Sequence, residues 1–166
     1  MVPKRFIFPL SAVCQRQAPA ILATLFVVGL CIFGEPLYGS NDDVGIAMVG
    51  AGFGEAAHPE PHLVWCHYGY GLVLAFLSSL IGPNAHGWIT VAAIWLSLAL
   101  LIQAILRTPK ALVRWCLLLV CLGGIFLTAL LSAEFTITSG VLFGAAIANW
   151  LTAGSQGQNR LRDHGS

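Results

Sequence analysis

The chain has 166 residues, of which 57% are hydrophobic and 9% are charged, and its mean hydropathy is +0.81. A water-soluble domain carries about 25% charged residues. This composition therefore excludes an ordinary soluble domain and predicts a protein whose main solvent is the lipid bilayer. The formal net charge of +1 lacks the strong positive charge with which proteins attract nucleic acid, so no nucleic-acid partner is predicted.

The N-terminal segment places three basic residues before an apolar run that begins at Ala18; they are Lys4, Arg5 and Arg16. Secretory signal peptides share this order, but no small-x-small cleavage site follows Phe33. We therefore expect an uncleaved membrane anchor. The five cysteines form no C-x-x-C pattern, and the sequence predicts neither a disulfide framework nor a structural zinc site.

Four segments are apolar and long enough to cross a membrane as helices, at about residues 18–37, 88–106, 111–132 and 136–153. A fifth segment, at about 61–82, is nearly as apolar. It differs from the other four because it begins with Pro61 and His62 and carries glycines among its aromatic residues. The chain therefore has five membrane spans if residues 61–82 cross the membrane and four if they do not.

The distribution of basic residues separates these two topologies. With four spans, all eight Lys and Arg residues lie on one side, and the other side carries acids but no basic residue. With five spans, either the N-terminal or the later basic residues face outward. Because basic residues accumulate on the cytoplasmic side, we predict an all-α polytopic integral membrane protein with four transmembrane helices. Residues 61–82 are then predicted to form a juxtamembrane helix on the outer face.

This topology divides the chain into three parts. Residues 1–17 are a cytoplasmic N-terminus, residues 18–153 are the membrane domain, and residues 154–166 are a polar cytoplasmic tail that we expect to be disordered. Within the membrane domain, residues 38–87 form an outer loop that includes the juxtamembrane helix. The predicted location is the cytoplasmic (inner) membrane, with both termini in the cytoplasm.

The outer loop is predicted to open with a short helix. The N-cap formers Asn41 and Asp42 precede an apolar stretch from about Asp43 to Ala51. The glycines that follow, beginning with Gly52, favour the end of a helix.

The acidic pair Asp42-Asp43 has two interpretations. The carboxylates can cap the short helix and complement its dipole. Alternatively, two adjacent carboxylates can bind a divalent cation or act as a general base. The sequence chemistry leaves both interpretations open.

Three features in order carry a resemblance: Asn41-Asp42-Asp43 with the short helix, then Pro59-Glu-Pro-His62, then an aromatic-rich segment that ends Leu80-Ile81-Gly82-Pro83. Together they resemble the first outer loop of the C-type membrane glycosyltransferases, which include protein mannosyltransferases, aminoarabinose transferases and oligosaccharyltransferases. In that superfamily an acidic loop, a juxtamembrane helix and the second span follow the first helix. The chain is also similar to bacterial membrane proteins with an Asn-Asp-Asp signature in this loop. The resemblance covers about residues 18–106.

The resemblance implies that Asp42 or Asp43 is the acidic residue of the active site, acting either as a base toward the acceptor or as a ligand of Mg²⁺ or Mn²⁺. It implies a polyprenyl-phosphate-linked sugar as donor, with Asn41, His62 and His67 as substrate-binding residues. Complete members have many more helices, and no Lys or Arg of this chain lies on the predicted outer side to neutralise a phosphate. We therefore expect an N-terminal portion that is too short for autonomous activity, or one that depends on a second chain for the missing helices.

Two other functions are compatible with the sequence. The first is a non-catalytic membrane adaptor or assembly subunit that packs through the Gly/Ala faces of its last helix. The second is a metal-binding membrane protein, in which His58 and His62 join Asp42 and Asp43 around zinc, nickel or copper. No Asp, Glu, Lys or Arg lies at the centre of a span, which disfavours a proton-coupled transporter or channel.

Overall fold

The structure is a computed structural model that describes residues 12–33, 37–38, 41–54, 56–63, 66–108, 110–128 and 132–163. Within these ranges, the side chains of residues 12–16, 37–38, 41–42, 132–133, 135 and 155–163 lie outside the described part. The described chain is all-helical apart from one pair of two-residue strands, which confirms the predicted all-α class.

The elements follow one another as α1 (Ala12–Phe33), β1 (Leu37–Tyr38), α2 (Asn41–Ala51), α3 (Tyr68–Ile81), α4 (Ala85–Leu106), α5 (Ala111–Val120), β2 (Ser132–Ala133) and α6 (Phe135–Asp163). A π-helical segment, Cys121–Phe126, continues α5. Strands β1 and β2 are parallel, with Leu37 opposite Ser132 and Tyr38 opposite Ala133. Each predicted span therefore contains a helix, and the outer loop contains two more.

Two helices of the described part are long and apolar enough to cross a membrane, Ala85–Leu106 and Thr136–Gly154. Three shorter apolar helices accompany them, Gln17–Phe33, Tyr68–Ile81 and Ala111–Phe126. Large apolar side chains on the outward faces are exposed: Phe33 is 90% exposed and Leu112 is 77% exposed. Since soluble monomers rarely expose such extended apolar surface, these helices favour association with a membrane.

Helix α4 is the central helix of the fold and packs against α6 and α1. Its residues Ile94, Leu98, Ile102 and Ile105 recur every three or four positions, so they form one buried face. Ala23 and Val27 of α1, together with Cys121 and Phe126 of the π-helical segment, complete this core. A hydrogen bond of 3.0 Å from the Trp95 indole to the Thr24 hydroxyl also joins α4 to α1.

One end of α4 is covered by the cap, which we define as residues 41–81 and which contains α2 and α3. Both cap helices contact α4, and the buried residues Ile46, Leu63, Leu74 and Ala85 form a second apolar core between them. Strand β2 also contacts α4, and its pairing with β1 brings the chain after α1 beside the turn that precedes α6. The cap and both strands therefore lie at the same end of the helix bundle.

The opposite end of α4 is joined to α6 by polar side chains. The Arg107 guanidinium donates hydrogen bonds to the backbone and side-chain oxygens of Asn149. The Asn149 amide in turn donates to the Gln103 side-chain oxygen at 2.7 Å. Asn149 thus hydrogen-bonds both to Gln103 of α4 and to Arg107, which directly follows α4. Without Asn149, these two polar side chains would lie beside apolar helix faces.

Replacing Asn149 with alanine is expected to lower the free energy of unfolding by about 1–3 kcal/mol, because Arg107 and Gln103 lose a shared partner in a partly buried place. Denaturation by dodecyl sulfate in mixed micelles measures this change. Ser139→Ala is the control, since the exposed Ser139 hydroxyl donates to the carbonyl of Thr136 within its own helix. Equal stabilities of the two variants would contradict the prediction.

The structure differs from the predicted tail. Helix α6 continues without interruption to Asp163, where the sequence predicted disorder from Gly154 onward. No proline interrupts residues 154–163, and extending an existing helix adds one hydrogen bond for each residue that is fixed. The span boundaries also shift, since α4 begins at Ala85 and α1 begins at Ala12 with Pro19 inside it.

Candidate functional site

The acidic pair lies in the first turn of α2. This helix runs from Asn41 to Ala51, so the short helix predicted at the start of the outer loop is confirmed. The chain leaves the helix at Gly52 with φ of 80°, a conformation that favours glycine. An added Cβ at Gly52 would lie 2.6 Å from the backbone carbonyl carbon of His58. The missing side chain lets the following segment return alongside α2.

Helix α3 begins later than predicted. The sequence placed a helix over residues 61–82, but α3 runs from Tyr68 to Ile81, and residues 61–63 and 66–67 are not helical. The His67 ring nitrogen Nδ1 caps the helix by accepting the Gly69 N–H at 3.1 Å, so α3 starts at Tyr68. The predicted C-terminal end at Gly82 is confirmed, with φ of 86°.

Three elements of the cap and bundle meet at a buried histidine. His86, in the first turn of α4, is 0% exposed, and Asp43 of α2 is 2% exposed. Atoms His86 Nε2 and Asp43 Oδ1 lie 3.4 Å apart, and the Tyr70 hydroxyl of α3 lies 2.7 Å from His86 Nδ1. We call Asp43, His86 and Tyr70 the buried triad.

When Asp43 is ionised and the imidazole is neutral, one hydrogen-bonding arrangement of the buried triad satisfies both ring nitrogens. With the proton on Nε2, the imidazole donates toward Asp43 Oδ1, and Nδ1 accepts from the Tyr70 hydroxyl. The contact of 3.4 Å is longer than a typical N–H···O hydrogen bond, so part of its strength is electrostatic. A buried carboxylate without such a partner would be costly. The triad therefore joins α2, α3 and α4 through polar contacts at one point.

The structure buries one of the predicted site residues and leaves the predicted histidines exposed. Asp43 belongs to the buried triad. Asn41 and Asp42 are the first two residues of α2, but their side chains lie outside the described part, so their predicted roles remain predictions. His62 is exposed. Its backbone N–H donates to Glu60 Oε1, its ring Nδ1 contacts the same oxygen, and its ring centroid lies 4.9 Å from that of Tyr68. His67 caps α3, and His58 is exposed.

Metal binding was predicted from the acidic pair with His58 and His62. Among the side chains that the structure describes, no three His, Cys, Asp or Glu residues are grouped so that they could hold a metal ion. The described residues thus do not fit a site for Mg²⁺, Mn²⁺ or zinc. Since the predicted ligand Asp42 lies outside the described side chains, the metal site stays a prediction.

His86 is a site residue that the sequence pattern did not identify, because the span was expected to begin at residue 88. Tyr70 was interpreted as part of an interfacial aromatic belt. The available signal is helical spacing: counting back from the buried residues Ile94 and Thr90 in steps of four leads to His86. A histidine at that position belongs to the buried face of α4.

An open apolar cavity of about 380 Å³ borders α2. Its lining consists of Val44, Ala47, Met48, Phe53, Pro83 and Asn84. Val44 directly follows Asp43 in the first turn of the helix. The acidic end of α2 therefore adjoins an apolar surface that can accept a hydrocarbon chain.

Two pKa shifts describe the electrostatics of the cap. Hydrogen bonds from the His62 backbone and side chain lower the pKa of the exposed Glu60 carboxyl. The lowered pKa means that folding favours the ionised Glu60 carboxylate. The contact therefore contributes its full stability above the pKa of Glu60 in the unfolded chain, and this contribution is lost as pH falls through the pKa in the folded chain. Burial, and then the nearby Asp43 carboxylate, raise the pKa of the Cys66 thiol.

Cys66 therefore reports the charge of Asp43. In a variant that retains Cys66 as its single cysteine, Asp43→Asn is expected to move the pH–rate profile of alkylation to lower pH, because the amide no longer disfavours the thiolate. Iodoacetamide labelling followed by intact-mass analysis gives the profile. Glu134→Gln is the matched control. A higher plateau rate without a shift in midpoint would indicate a more open cap and would contradict the electrostatic explanation.

Comparison with known proteins gives no match to this chain, whether with family models, with curated proteins or with solved structures.

Proposed function

We propose that this chain is a four-span protein of the cytoplasmic membrane whose cap carries an acidic active site for glycosyl transfer on the outer face. The observation that carries the proposal is the placement of Asp43. Three separate elements converge at the cap end of α4 and hold Asp43 through His86. The order of anchor helix, acidic helix, short apolar helix and second span agrees with the resemblance to C-type membrane glycosyltransferases.

The length of helix α3 supports a juxtamembrane helix in place of a fifth span. Helix α3 has 14 residues, which gives about 21 Å at 1.5 Å per residue, and a hydrocarbon core is about 30 Å thick. Helix α4 has 22 residues, or about 33 Å. The apolar side chains Phe76 and Leu80 of α3 are 63% and 64% exposed, as expected for a helix that lies along the membrane surface.

The pairing of β1 with β2 supports the same topology. In a four-span chain, the segment after the first span and the turn before the last span are both on the outer face, and these are the segments that pair. The network of Arg107 with Asn149 lies at the other end of α4, where the basic residues are expected.

Cysteine labelling tests the topology. Four spans place Glu134→Cys outside and Lys110→Cys inside, whereas five spans with a cytoplasmic N-terminus place them the other way round. In spheroplasts containing variants with one cysteine each, an impermeant maleimide is expected to label position 134, and position 110 only after permeabilisation. Labelling of position 110 in intact spheroplasts would contradict the four-span topology.

The proposed reaction requires one carboxylate as a general base. As the hydroxyl of the acceptor loses its proton to the carboxylate, its oxygen attacks the anomeric carbon of the sugar. The bond from that carbon to the phosphate oxygen breaks, and polyprenyl phosphate leaves with the bonding electrons. The open apolar cavity beside α2 supports a donor with a hydrocarbon chain.

The leaving phosphate also needs a positive partner. The sequence has no Lys or Arg from residue 17 to residue 106, and the described side chains form no metal-binding group. No step is therefore assigned to a metal ion. A second chain that supplies cationic residues is the partner this proposal requires.

The test of the proposed reaction uses membranes from cells that produce the chain together with its natural complement of membrane proteins. Transfer of a radiolabelled sugar from polyprenyl phosphate is expected to require this chain and to be lost on combined substitution of Asp42 and Asp43 with asparagine. Glu134→Gln is the matched acid control. Full transfer by the double variant would contradict the proposal.

A second candidate is the non-catalytic assembly subunit. It is favoured by the open small-residue face of α6, where an added Cβ at Gly140 or Gly144 would meet no atom within 4 Å. Close approach of another helix to this face is sterically free. Substituting both glycines with leucine is expected to disrupt cysteine crosslinking to a partner helix under this candidate and to leave sugar transfer unchanged.

A further inference from the structure

We infer that Arg107, held in place by Asn149, binds the phosphate of an anionic phospholipid at the end of the helix bundle opposite the cap. The site lies where the chain leaves α4 for α5 and where α6 passes alongside. The inference goes beyond glycosyl transfer. It takes from the proposed function only the side of the membrane, which is the cytoplasmic leaflet.

The Arg107 guanidinium is held through one of its three nitrogens. Atom Nη1 donates to the backbone oxygen of Asn149 at 3.2 Å and to its side-chain oxygen, and it lies 3.4 Å from the Thr152 hydroxyl oxygen. Within the part of the chain that the structure describes, Nε and Nη2 have no hydrogen-bond acceptor. The planar edge formed by Nε and Nη2 can donate to two oxygens of one phosphate at the same time.

No acidic residue compensates the charge of this partly buried guanidinium. Residues 61–133 and 135–162, which supply α4, α5 and nearly all of α6, contain no Asp or Glu. Asp163 ends α6, and the 11 residues from Thr152 to Asp163 correspond to about 16 Å of helix at 1.5 Å per residue. Among the side chains that the structure describes, no carboxylate forms an ion pair with Arg107.

The helix dipoles do not supply the missing negative charge either. Arg107 is the C-cap of α4, and Lys110 is the N-cap of α5. The C-terminus of a helix is equivalent to about half a negative charge and the N-terminus to about half a positive charge. The two partial charges oppose each other within one short turn. The counter-ion of Arg107 is therefore expected to come from outside the chain.

The surroundings of Arg107 identify this counter-ion as a lipid headgroup. Trp150, the residue after Asn149, is 75% exposed, and Trp115 of α5 is 63% exposed. Exposed tryptophans at the ends of membrane helices lie at the level of the headgroups. Leu112, in the first turn of α5, is 77% exposed and offers an apolar surface to acyl chains. Basic sites between helices on the cytoplasmic side bind anionic headgroups.

Tryptophan quenching tests the site in a full-length variant that keeps Trp150 as its single tryptophan. The purified chain is reconstituted in phosphatidylcholine vesicles, in which phosphatidylglycerol or phosphatidylcholine with brominated acyl chains replaces part of the lipid. Bromine quenches Trp150 on contact, so the ratio of the two quenching constants measures the preference for the anionic lipid. We expect a preference of about fivefold, the contribution of one basic residue near a membrane surface.

Two substitutions remove the charge of the site in different ways. Asn149→Asp places a carboxylate beside the guanidinium while keeping oxygens that accept from Nη1, and Arg107→Gln removes the guanidinium. Both are expected to abolish the preference. Lys110→Gln is the matched control, because it removes one positive charge from an exposed side chain of the same turn. At high salt, where exposed charges are screened, this control is expected to keep most of the preference.

A preference that persists in Asn149→Asp or in Arg107→Gln would overturn the inference. An equal loss in Lys110→Gln would overturn it too, because the attraction would then come from diffuse surface charge. Inorganic phosphate at constant ionic strength is expected to leave the preference unchanged, and displacement of the lipid would assign the site to soluble phosphate instead. Quenching by brominated phosphatidylcholine shows that each variant retains Trp150 in the bilayer. Sugar transfer is not measured, so failure of the proposed reaction leaves this result unaffected.

Discussion

Replacing His86 with alanine is expected to lower the free energy of unfolding by about 3 kcal/mol, because the change removes a hydrogen-bond partner from a buried charged group. The change leaves the Asp43 carboxylate buried without the imidazole and removes a hydrogen-bond partner of the Tyr70 hydroxyl. The cap helices α2 and α3 lose their shared contact on α4. We expect the loss to be concentrated in the cap, while the core between α4 and α1 is retained.

Denaturation by dodecyl sulfate in mixed micelles measures this loss, and hydrogen exchange locates it. The control is His58→Ala, since His58 is an exposed histidine in the same cap and its truncation is expected to change stability by less than about 0.5 kcal/mol. Asp43→Ala and the double variant complete a double-mutant cycle. Additive effects of the two single changes would show that Asp43 and His86 do not stabilise the fold as a pair.

The second large effect is expected at Gly71 of α3. This residue is buried, and an added Cβ would lie 1.8 Å from the backbone oxygen of Pro61. The added Cβ would overlap a backbone atom, so rotation of a side chain cannot relieve the steric clash. Helix α3 must therefore move away from the segment that contains Pro61. Gly71→Ala is therefore expected to destabilise the protein by about 3 kcal/mol, at the upper end of the usual cost of overpacking.

The matched control is Gly45→Ala in α2, where the added Cβ has no atom within 4 Å. Alanine favours a helix over glycine by about 1 kcal/mol, so this control is expected to be neutral or stabilising in the same micelle assay. Similar stabilities for Gly71→Ala and Gly45→Ala would contradict the close approach of α3 to Pro61.

Local signals in the sequence located most of the helices. Apolar length predicted the positions of α1, α4, α5 and α6, and glycine predicted the end of α2 at Gly52. The boundaries were less accurate where the deciding contact is not an apolar one. The His67 ring caps α3, and the helix therefore starts at Tyr68 and not at residue 61.

The roles of the polar residues were harder to predict, because they depend on contacts between residues far apart in the chain. Asp43 and His86 are separated by 43 positions, and no local pattern relates them. The sequence treated Asp42 and Asp43 as equivalent, and Tyr70 as an interfacial aromatic. Packing of α2 and α3 on α4 is what buries Asp43 and gives Tyr70 a buried partner.

By itself, then, the sequence determined the all-helical class, the apolar segments and the presence of an acidic helix between the first two of them. These properties follow from composition and from contacts within a few residues, which hydrophobicity, caps and glycine control. Only the tertiary structure decided that Asp43 is buried beside His86, whose ring also contacts the Tyr70 hydroxyl. That arrangement requires three helices to meet, and a buried carboxylate is stable only where such partners surround it.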